Sequence, residues 1–355
     1  MLEERFNSLG RFLKDTFGER VHRMNAYVPG KTESDRTAED LYNLCPGGTL
    51  ESEPNSEEIA SVEDQITKAK DRIRQKYKFG KYIVHLHTYS SQKISLELLR
   101  ETVDKIIQDD EVIGINLTVR LDTVDDAMLR YLREVDQHIY LWVETGIHTI
   151  HDETLKKIGF SLNSDEILEK IFKLLSKGLR VSPHVVLGLP GETDEMMHQT
   201  MSKVSNLLIN GVNIQNFIIT KGSIFETEYR EEKIKLFSRE DYINLLCDFI
   251  ELLPPNIVLR RVIGETKPEF LIAPDWVENK KNCLSSLSDE LERRNSKQSC
   301  KNETYMYDFM EQDIKETQND TGEVDADNRE DLTDVVGSST ETAPTQENGL
   351  QDIDE

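Results

Sequence analysis

The chain has 355 residues, a formal net charge of −24 and 37% apolar residues. This length fits one large α/β domain or two small ones, and an apolar fraction below the usual value of about 45–50% indicates that part of the chain does not enter a core. The acidic excess disfavours broad binding of nucleic-acid phosphates. No run approaches the roughly 20 apolar residues that a membrane-spanning helix needs.

The first 28 residues predict an amphipathic helix followed by a short strand at Val21–Tyr27. Phe6, Leu9, Phe12 and Leu13 recur at near-helical spacing, which is typical of a surface helix with one apolar face. Charges throughout, acidic ones included, disfavour a secretory signal or a transit peptide. The next segment, residues 29–60, is polar and interrupted by glycine and proline, so we expect a long loop.

From residue 81 onward, β-rich runs alternate with amphipathic helical patterns. Strands are predicted at residues 82–89, 112–119, 139–146, 180–188, 212–220, 258–262 and 269–272, and helices at 62–77, 95–109, 125–135, 165–177, 194–209, 240–253 and 284–294. This alternation indicates βαβ units and a parallel sheet. Continuous apolar runs such as VVLGL are typical of strands covered on both faces.

Five or six such units are too few for a closed eight-fold barrel. We therefore predict an α/β fold with a partial (β/α)6 TIM-like barrel of parallel strands, with a doubly wound sheet as the alternative. The predicted segments are an N-terminal helix and first strand (1–28), a long polar loop (29–60), the partial barrel with a C-terminal extension (61–295) and an acidic disordered tail (296–355).

The tail has its own composition. Residues 311–355 contain 15 acidic side chains against Lys315 and Arg329, a net charge of −13, and no aromatic residue. Such a segment buries too little apolar surface to offset the entropy of ordering, so disorder is expected. It would act as a solubilising tail, as a docking site for a basic partner or as a cover for its own barrel.

Ligands bind at the carboxyl ends of parallel strands, so the residues there are the first candidates for a site. The run HVVLGLPGETDE ends a strand at Gly188 and turns through Pro190, Gly191 and Glu192 into a helix. Glycines allow close backbone approach to a ligand, although an ordinary strand-to-helix turn needs the same residues.

A carboxylate and several histidines also fall on predicted strand ends. Alternation along one strand puts Glu144, Gly146 and His148 on one face, and His87 and His184 could converge with them from neighbouring strands. Such a group could bind a divalent metal or exchange protons, but histidines at strand ends are more often held by structural hydrogen bonds.

Seven sequence blocks in order resemble the YhcC-like family of bacterial radical SAM proteins, relatives of the elongator catalytic subunit. They are RFNSLGRFLKDTFGERV, GKYIVHLHTYSS, LWVETGIHTIHDETLKKI, VVLGLPGETDEM, KGSIFE, ELLPPNIVLRRVIGE and FLIAPDW. The resemblance covers about residues 3–295. It implies a partial barrel carrying a [4Fe–4S] cluster on three cysteines in the loop after the first strand, with S-adenosylmethionine (SAM) on the fourth iron.

The cysteines do not follow the family pattern. The chain has Cys45, Cys247, Cys283 and Cys300, and the loop corresponding to the family's cluster loop contains Cys45 alone. One thiolate cannot hold a cubane, so no metal site is expected and Cys45 is the sole remnant candidate. By the resemblance, a vestigial SAM pocket would be formed by six retained residues: Glu144, Gly146, Gly188, Pro190, Gly191 and Glu192.

We therefore expect a radical-SAM-fold protein without the [4Fe–4S] cluster or radical chemistry, acting as a ligand- or partner-binding pseudoenzyme. Two alternatives stay open: an active SAM-dependent radical enzyme with an unusual iron–sulfur site, and a structural subunit of a larger protein or ribonucleoprotein assembly. No cofactor is expected beyond residual SAM. A protein partner would bind the barrel mouth or the acidic tail, without membrane or direct nucleic-acid contact, and the expected location is intracellular, in the cytoplasm.

Overall fold

The computed structural model describes residues 5–28, 60–77, 79–88, 95–266 and 268–302. Its main feature is a sheet of seven parallel strands in the order β1-β2-β3-β4-β5-β6-β8, curled into a half-barrel. The strands are β1 (Val21–Tyr27), β2 (Lys81–His87), β3 (Val112–Thr118), β4 (Tyr140–His148), β5 (Arg180–Leu187), β6 (Gly211–Asn216) and β8 (Val258–Arg261).

Helices connect successive strands and cover the outer face of the sheet. Within the described residues they are α1 (Leu9–Phe17), α2 (Val62–Arg74), α3 (Leu96–Ile107), α4 (Asp126–His138), α5 (Asp152–Lys157), α6 (Ser164–Ser176), α7 (Asp194–Ser205), α8 (Phe225–Arg230), α9 (Arg239–Leu252) and α10 (Lys280–Arg293). None of these helices combines the length and the apolar character that crossing a membrane requires.

The sequential strand order settles the fold class. A doubly wound sheet reverses its strand order at a switch point, whereas here each strand pairs with its predecessor from β1 to β6. Six βα units precede a seventh strand, β8, so the predicted partial (β/α)6 barrel is confirmed and extended by one strand.

Two predicted strands differ from the structure. The run 212–220 is divided into β6 and a two-residue strand, β7 (Ile219–Thr220). The break falls at Asn216. Its side-chain amide donates a hydrogen bond to the Phe217 carbonyl and accepts one from the Gly264 backbone amide. The strand predicted at 269–272 is β9 (Leu271–Ala273), which pairs antiparallel with β7 outside the half-barrel.

The C-terminal boundary of the folded domain also shifts. Residues 296–302 were assigned to the tail, but the Gln298 side chain is buried and donates to the carbonyls of Pro254 and Ile257 while accepting from the Asn7 amide. These bonds tie the end of the described segment to the first described residues, so residues 296–302 pack with the folded domain. Residues 303–355, and with them the predicted disordered segment, lie outside the described residues.

The core has a large outer layer and a small inner one. The outer layer lies between the sheet and the helices, and the inner layer joins Leu9 and Leu13 of α1 to Ile83, Trp142 and Val258 near the amino ends of three strands. The predicted surface helix therefore buries its apolar face in one end of the barrel. Ser8 caps its first turn, and Gly18 ends it at a φ of 69°, a left-handed conformation that favours glycine.

Candidate functional site

The inner face of the half-barrel, here called the lumen, is lined largely by polar side chains above the apolar plug of α1. Alternation along β1 places Met24 and Ala26 in the outer core and Arg23 and Asn25 on the opposite face. The same alternation on the other strands gives the remaining lumen residues: His85, His87, Asn116, Thr118, Glu144, Ser182, His184, Asn213 and Arg260.

Glu144 is the centre of the lumen. One of its oxygens, Oε1, accepts from Arg260 Nη2 and from Asn116 Nδ2, each at 2.6 Å. The other, Oε2, lies 3.0 Å from His184 Nε2 and 3.5 Å from His85 Nε2. The side chain is only 3% exposed, so its charge is balanced by protein groups rather than by water.

Electrostatics keeps Glu144 ionised. Burial alone would raise the pKa of this carboxyl, but His85, Arg260 and His184 together hold it well below its usual range. Arg260 reaches Glu144 by crossing Gly211, where a Cβ would come within 2.9 Å of Arg260 Cδ. Its guanidinium also lies 4.3 Å from the centre of the Trp142 ring, a cation–π contact that shields the ion pair from below.

Burial favours the neutral form of His85 and His184. Burial lowers the pKa of His184 and, together with the neighbouring His87, lowers that of His85 well below its usual value. His85 stacks on His87 with ring centres 4.2 Å apart. The predicted convergence of histidines on Glu144 is therefore partial. His184 contacts the carboxylate, whereas His87 stacks on His85. Among the residues that the structure describes, no group of three metal-ligating side chains is close enough to hold an ion.

His148 does not join this group. It has a φ of 56°, an uncommon conformation for a non-glycine residue, and is fully buried. Its ring fills the space that a side chain at Gly146 would need and packs edge-on against Phe160. Neither ring nitrogen has a hydrogen-bond partner within the described part of the chain, and burial lowers the pKa of the imidazole to about 3. His148 thus acts as a plug above Gly146.

The predicted strand-to-helix turn forms a separate cavity of about 690 Å³. Gly188, Pro190, Gly191 and Glu192 line one wall, and residues 233–237 with α9 line the other. Gly188 has a φ of 84°, and a Cβ there would meet the Phe237 ring at 2.8 Å, so only glycine fits.

The six predicted site residues are therefore not brought together around one space. Glu144 and Gly146 face the lumen and do not line the cavity at the turn. Glu192 accepts a 2.5 Å hydrogen bond from Thr149, and burial raises the pKa of its carboxyl. A ligand contacting both groups would have to bridge the lumen and this turn.

Three of the four cysteines lie away from the lumen. Cys247 on α9 and Cys283 on α10 are buried in the helical layer, and Cys300 is exposed near the end of the described chain. Burial raises the pKa of the Cys247 thiol to about 12. Cys45, the predicted remnant of the cluster loop, lies outside the described residues.

Sequence reasoning missed Arg260, Asn116 and Arg23. The available signal was the pair Arg260–Arg261 inside an otherwise apolar strand, IVLRRVI, because a charge in a buried strand requires a partner. Its partner, Glu144, is 116 residues away in the chain, so only the sheet register reveals the pair.

A parallel half-barrel with a polar lumen at its strand ends is the architecture of radical SAM proteins, and comparison with known proteins gives the same class. Residues 53–204 match the Radical SAM superfamily and residues 209–293 match the Radical_SAM C-terminal domain. The uncharacterized protein YtqA of Bacillus subtilis (strain 168) is 32% identical over 301 residues, which cover 83% of this chain and 92% of that protein.

Protein YhcC of Escherichia coli (strain K12) is 25% identical over 284 residues, which cover 79% of this chain and 90% of the relative. Among solved structures, archaeal Methanocaldococcus infernus Elp3 superposes with a TM-score of 0.56 at 13% identity, over 78% of this chain and 64% of that one, so its likeness concerns the fold alone. The chain belongs to the YhcC-like family of radical SAM proteins. Members of the superfamily normally use a [4Fe–4S] cluster and SAM.

Proposed function

We propose that this protein has lost the [4Fe–4S] cluster and the radical chemistry of its family and uses the half-barrel to bind a ligand or a protein partner. The observation that carries the proposal is the number of thiols. A cubane that leaves one iron open for SAM needs three thiolates, and the segment 29–60 after β1 supplies Cys45 alone.

The positions of the other cysteines support the same conclusion. Cys247 and Cys283 lie within helices, where they belong to the packed core rather than to a loop at the strand ends. A thiol with a pKa of about 12, as at Cys247, does not ionise at neutral pH, and only the thiolate is an effective ligand. The donor set of the chain therefore does not fit a cubane.

The state of Glu144 supports the loss of the original ligand chemistry. By the family resemblance this carboxylate would face SAM, yet both of its oxygens are engaged by Arg260, Asn116 and His184. A ligand hydroxyl that approached Glu144 would have to displace one of these buried partners. If SAM still binds, we therefore expect its affinity to be low. Titration calorimetry with SAM on the wild type and on Glu144→Ala measures that affinity.

Anaerobic reconstitution with iron and sulfide tests the central part of the proposal. We expect no visible absorbance band of a cubane after desalting, and identical spectra for the wild type and for Cys45→Ala. A stoichiometric cluster in the wild type that is lost in Cys45→Ala would contradict the proposal and favour the active enzyme with an unusual iron–sulfur site.

Partner binding is favoured by the acidic segment 311–355, with its net charge of −13. A basic protein surface would complement that segment. The chain would then act as a subunit of a larger protein or ribonucleoprotein assembly, a role that requires no small ligand. Affinity purification at native salt tests it: a stoichiometric partner that is lost when the acidic residues are neutralised supports docking through the tail. A cytoplasmic location is part of the proposal and is supported by the free state of Cys247, Cys283 and Cys300.

A further inference from the structure

Three arginines meet where the two edges of the half-barrel face each other across the lumen. Arg23 projects from the inner face of β1, one edge strand, and Arg260 and Arg261 are consecutive on β8, the other edge. A register shift between β6 and β8 pairs Asn213 with Arg261, so both β8 arginines reach the lumen side. We call these three residues the arginine triad.

The triad has few protein partners. Within the described residues, Arg23 and Arg261 form neither a hydrogen bond nor an ion pair. Arg260, whose side chain is 2% exposed, uses Nη2 on Glu144, while its Nε and Nη1 are buried without a described partner. A second carboxylate, Glu265, pairs with Lys280 and also attracts Arg261 and Arg23. The three guanidiniums and Lys280 therefore share two carboxylates, Glu144 and Glu265.

This arrangement is costly in the absence of a ligand. Burial lowers the pKa of the Arg260 guanidinium, and the nearby charge of Arg23 acts in the same direction, whereas Glu144 opposes both. This local excess of positive charge in one cleft contrasts with a net charge of −24 over the whole chain. Solubility does not require arginines inside the lumen. An anion bound between the three guanidiniums would reduce their mutual repulsion and would accept hydrogen bonds from the buried N–H groups of Arg260.

We propose that the arginine triad binds the phosphate or carboxylate group of a small anionic ligand in the lumen. The planar guanidinium fork matches both groups, since each offers two oxygens to parallel N–H donors. Arg23 is exposed and Arg261 is partly exposed, so both can approach an incoming ligand, and Arg260 supplies fixed donors from below.

This inference rests on the proposed function in one respect: the lumen is used for binding rather than for radical chemistry. The two can fail separately. Iron content after reconstitution decides whether a cluster forms, whereas anion binding is measured on the purified full chain with no iron added.

Titration calorimetry with pyrophosphate and with citrate tests the proposal on the wild type, Arg23→Gln, Arg261→Gln and the control Arg72→Gln. Arg72 is exposed on α2 and, in the described part of the chain, donates a hydrogen bond only to the Lys68 carbonyl, so its loss changes the net charge equally and leaves the lumen intact. Matching melting temperatures establish that the variants fold.

We expect saturable binding to the wild type and to Arg72→Gln, and an affinity about tenfold or more weaker for each triad variant, as for the loss of a charge-assisted hydrogen bond. Tighter binding of pyrophosphate indicates a phosphate ligand, and tighter binding of citrate indicates a carboxylate. Absence of saturable binding to the wild type, or equal affinities in all four proteins, would overturn the proposal.

Discussion

Replacing Arg260 by methionine should destabilise the protein strongly, because it leaves the Glu144 carboxylate buried without the cation that donates a hydrogen bond to it. Arg260 and Glu144 are 2% and 3% exposed, and the distance between Nη2 and Oε1 is 2.6 Å. Removing one partner of such a pair costs about 3–5 kcal/mol, a large share of the roughly 5–15 kcal/mol that holds a typical domain together.

The double variant Arg260→Met/Glu144→Gln separates the cost of the stranded charge from the cost of lost packing. Since an amide needs no counter-charge, we expect the double variant to be more stable than Arg260→Met by about 2 kcal/mol or more. The penalty of Arg260→Met should also shrink at acidic pH, because Glu144 without Arg260 takes up a proton more readily and is then buried in neutral form.

Urea denaturation followed by circular dichroism gives these free energies of unfolding. The control is Arg230→Met, which breaks a 2.7 Å pair with Glu226 at a site where the arginine is 62% exposed, and it should cost at most about 1 kcal/mol. If Arg260→Met is as mild as this control, or if the double variant is no more stable than the single one, the account of the lumen charge is wrong.

Three further predictions concern pH, backbone strain and thiols. Burial lowers the pKa of His148 to about 3, against an ordinary value of 6.5, so its contribution to the free energy of unfolding is complete above pH 6.5 and is lost on acidification as the unfolded state gains a proton. The free energy of unfolding should fall by about 1.4 kcal/mol at about pH 5.5 because of this residue. His148→Asn should remove that part of the pH dependence of stability. Gly188→Ala should lower stability by about 1–3 kcal/mol, since its φ is 84° and an aromatic ring blocks the Cβ, whereas Gly10→Ala in open space on α1 should raise stability by about 0.5–1 kcal/mol; equal melting temperatures would contradict the argument. In the folded protein a thiol reagent should modify Cys300 rapidly and Cys247 only after unfolding, as peptide mapping would reveal, and rapid labelling of Cys247 would place it outside the core.

Sequence patterns were sufficient for most of the fold because each strand and helix carries its own local signal. Helices with a polar cap and one apolar face, such as α6 with its capping box at Asn163 and Glu166, begin where the pattern predicts. Strands buried on both faces, such as β5, read as apolar runs. The division of the run 212–220 was not predictable, since it depends on the contact of Asn216 with the distant Gly264.

The site was less predictable, because its geometry depends on register between strands far apart in the chain. Glu144 and His184 were recognised as strand-end residues, but their ion-pair partner Arg260 comes from the last strand of the sheet. The left-handed backbone conformation of His148 was also not predictable, because the sequence around it reads as a continuous strand. Residue type therefore identified the candidates, and the fold decided which of them meet.

Counting iron and acid-labile sulfide in protein purified without exposure to oxygen tests the absence of the cluster most directly, with electron paramagnetic resonance of the reduced sample as a second readout. We expect colourless protein with far less than one iron per chain and no cluster signal. Brown protein carrying four iron and four sulfide per chain, with the spectrum of a reduced cubane, would contradict it.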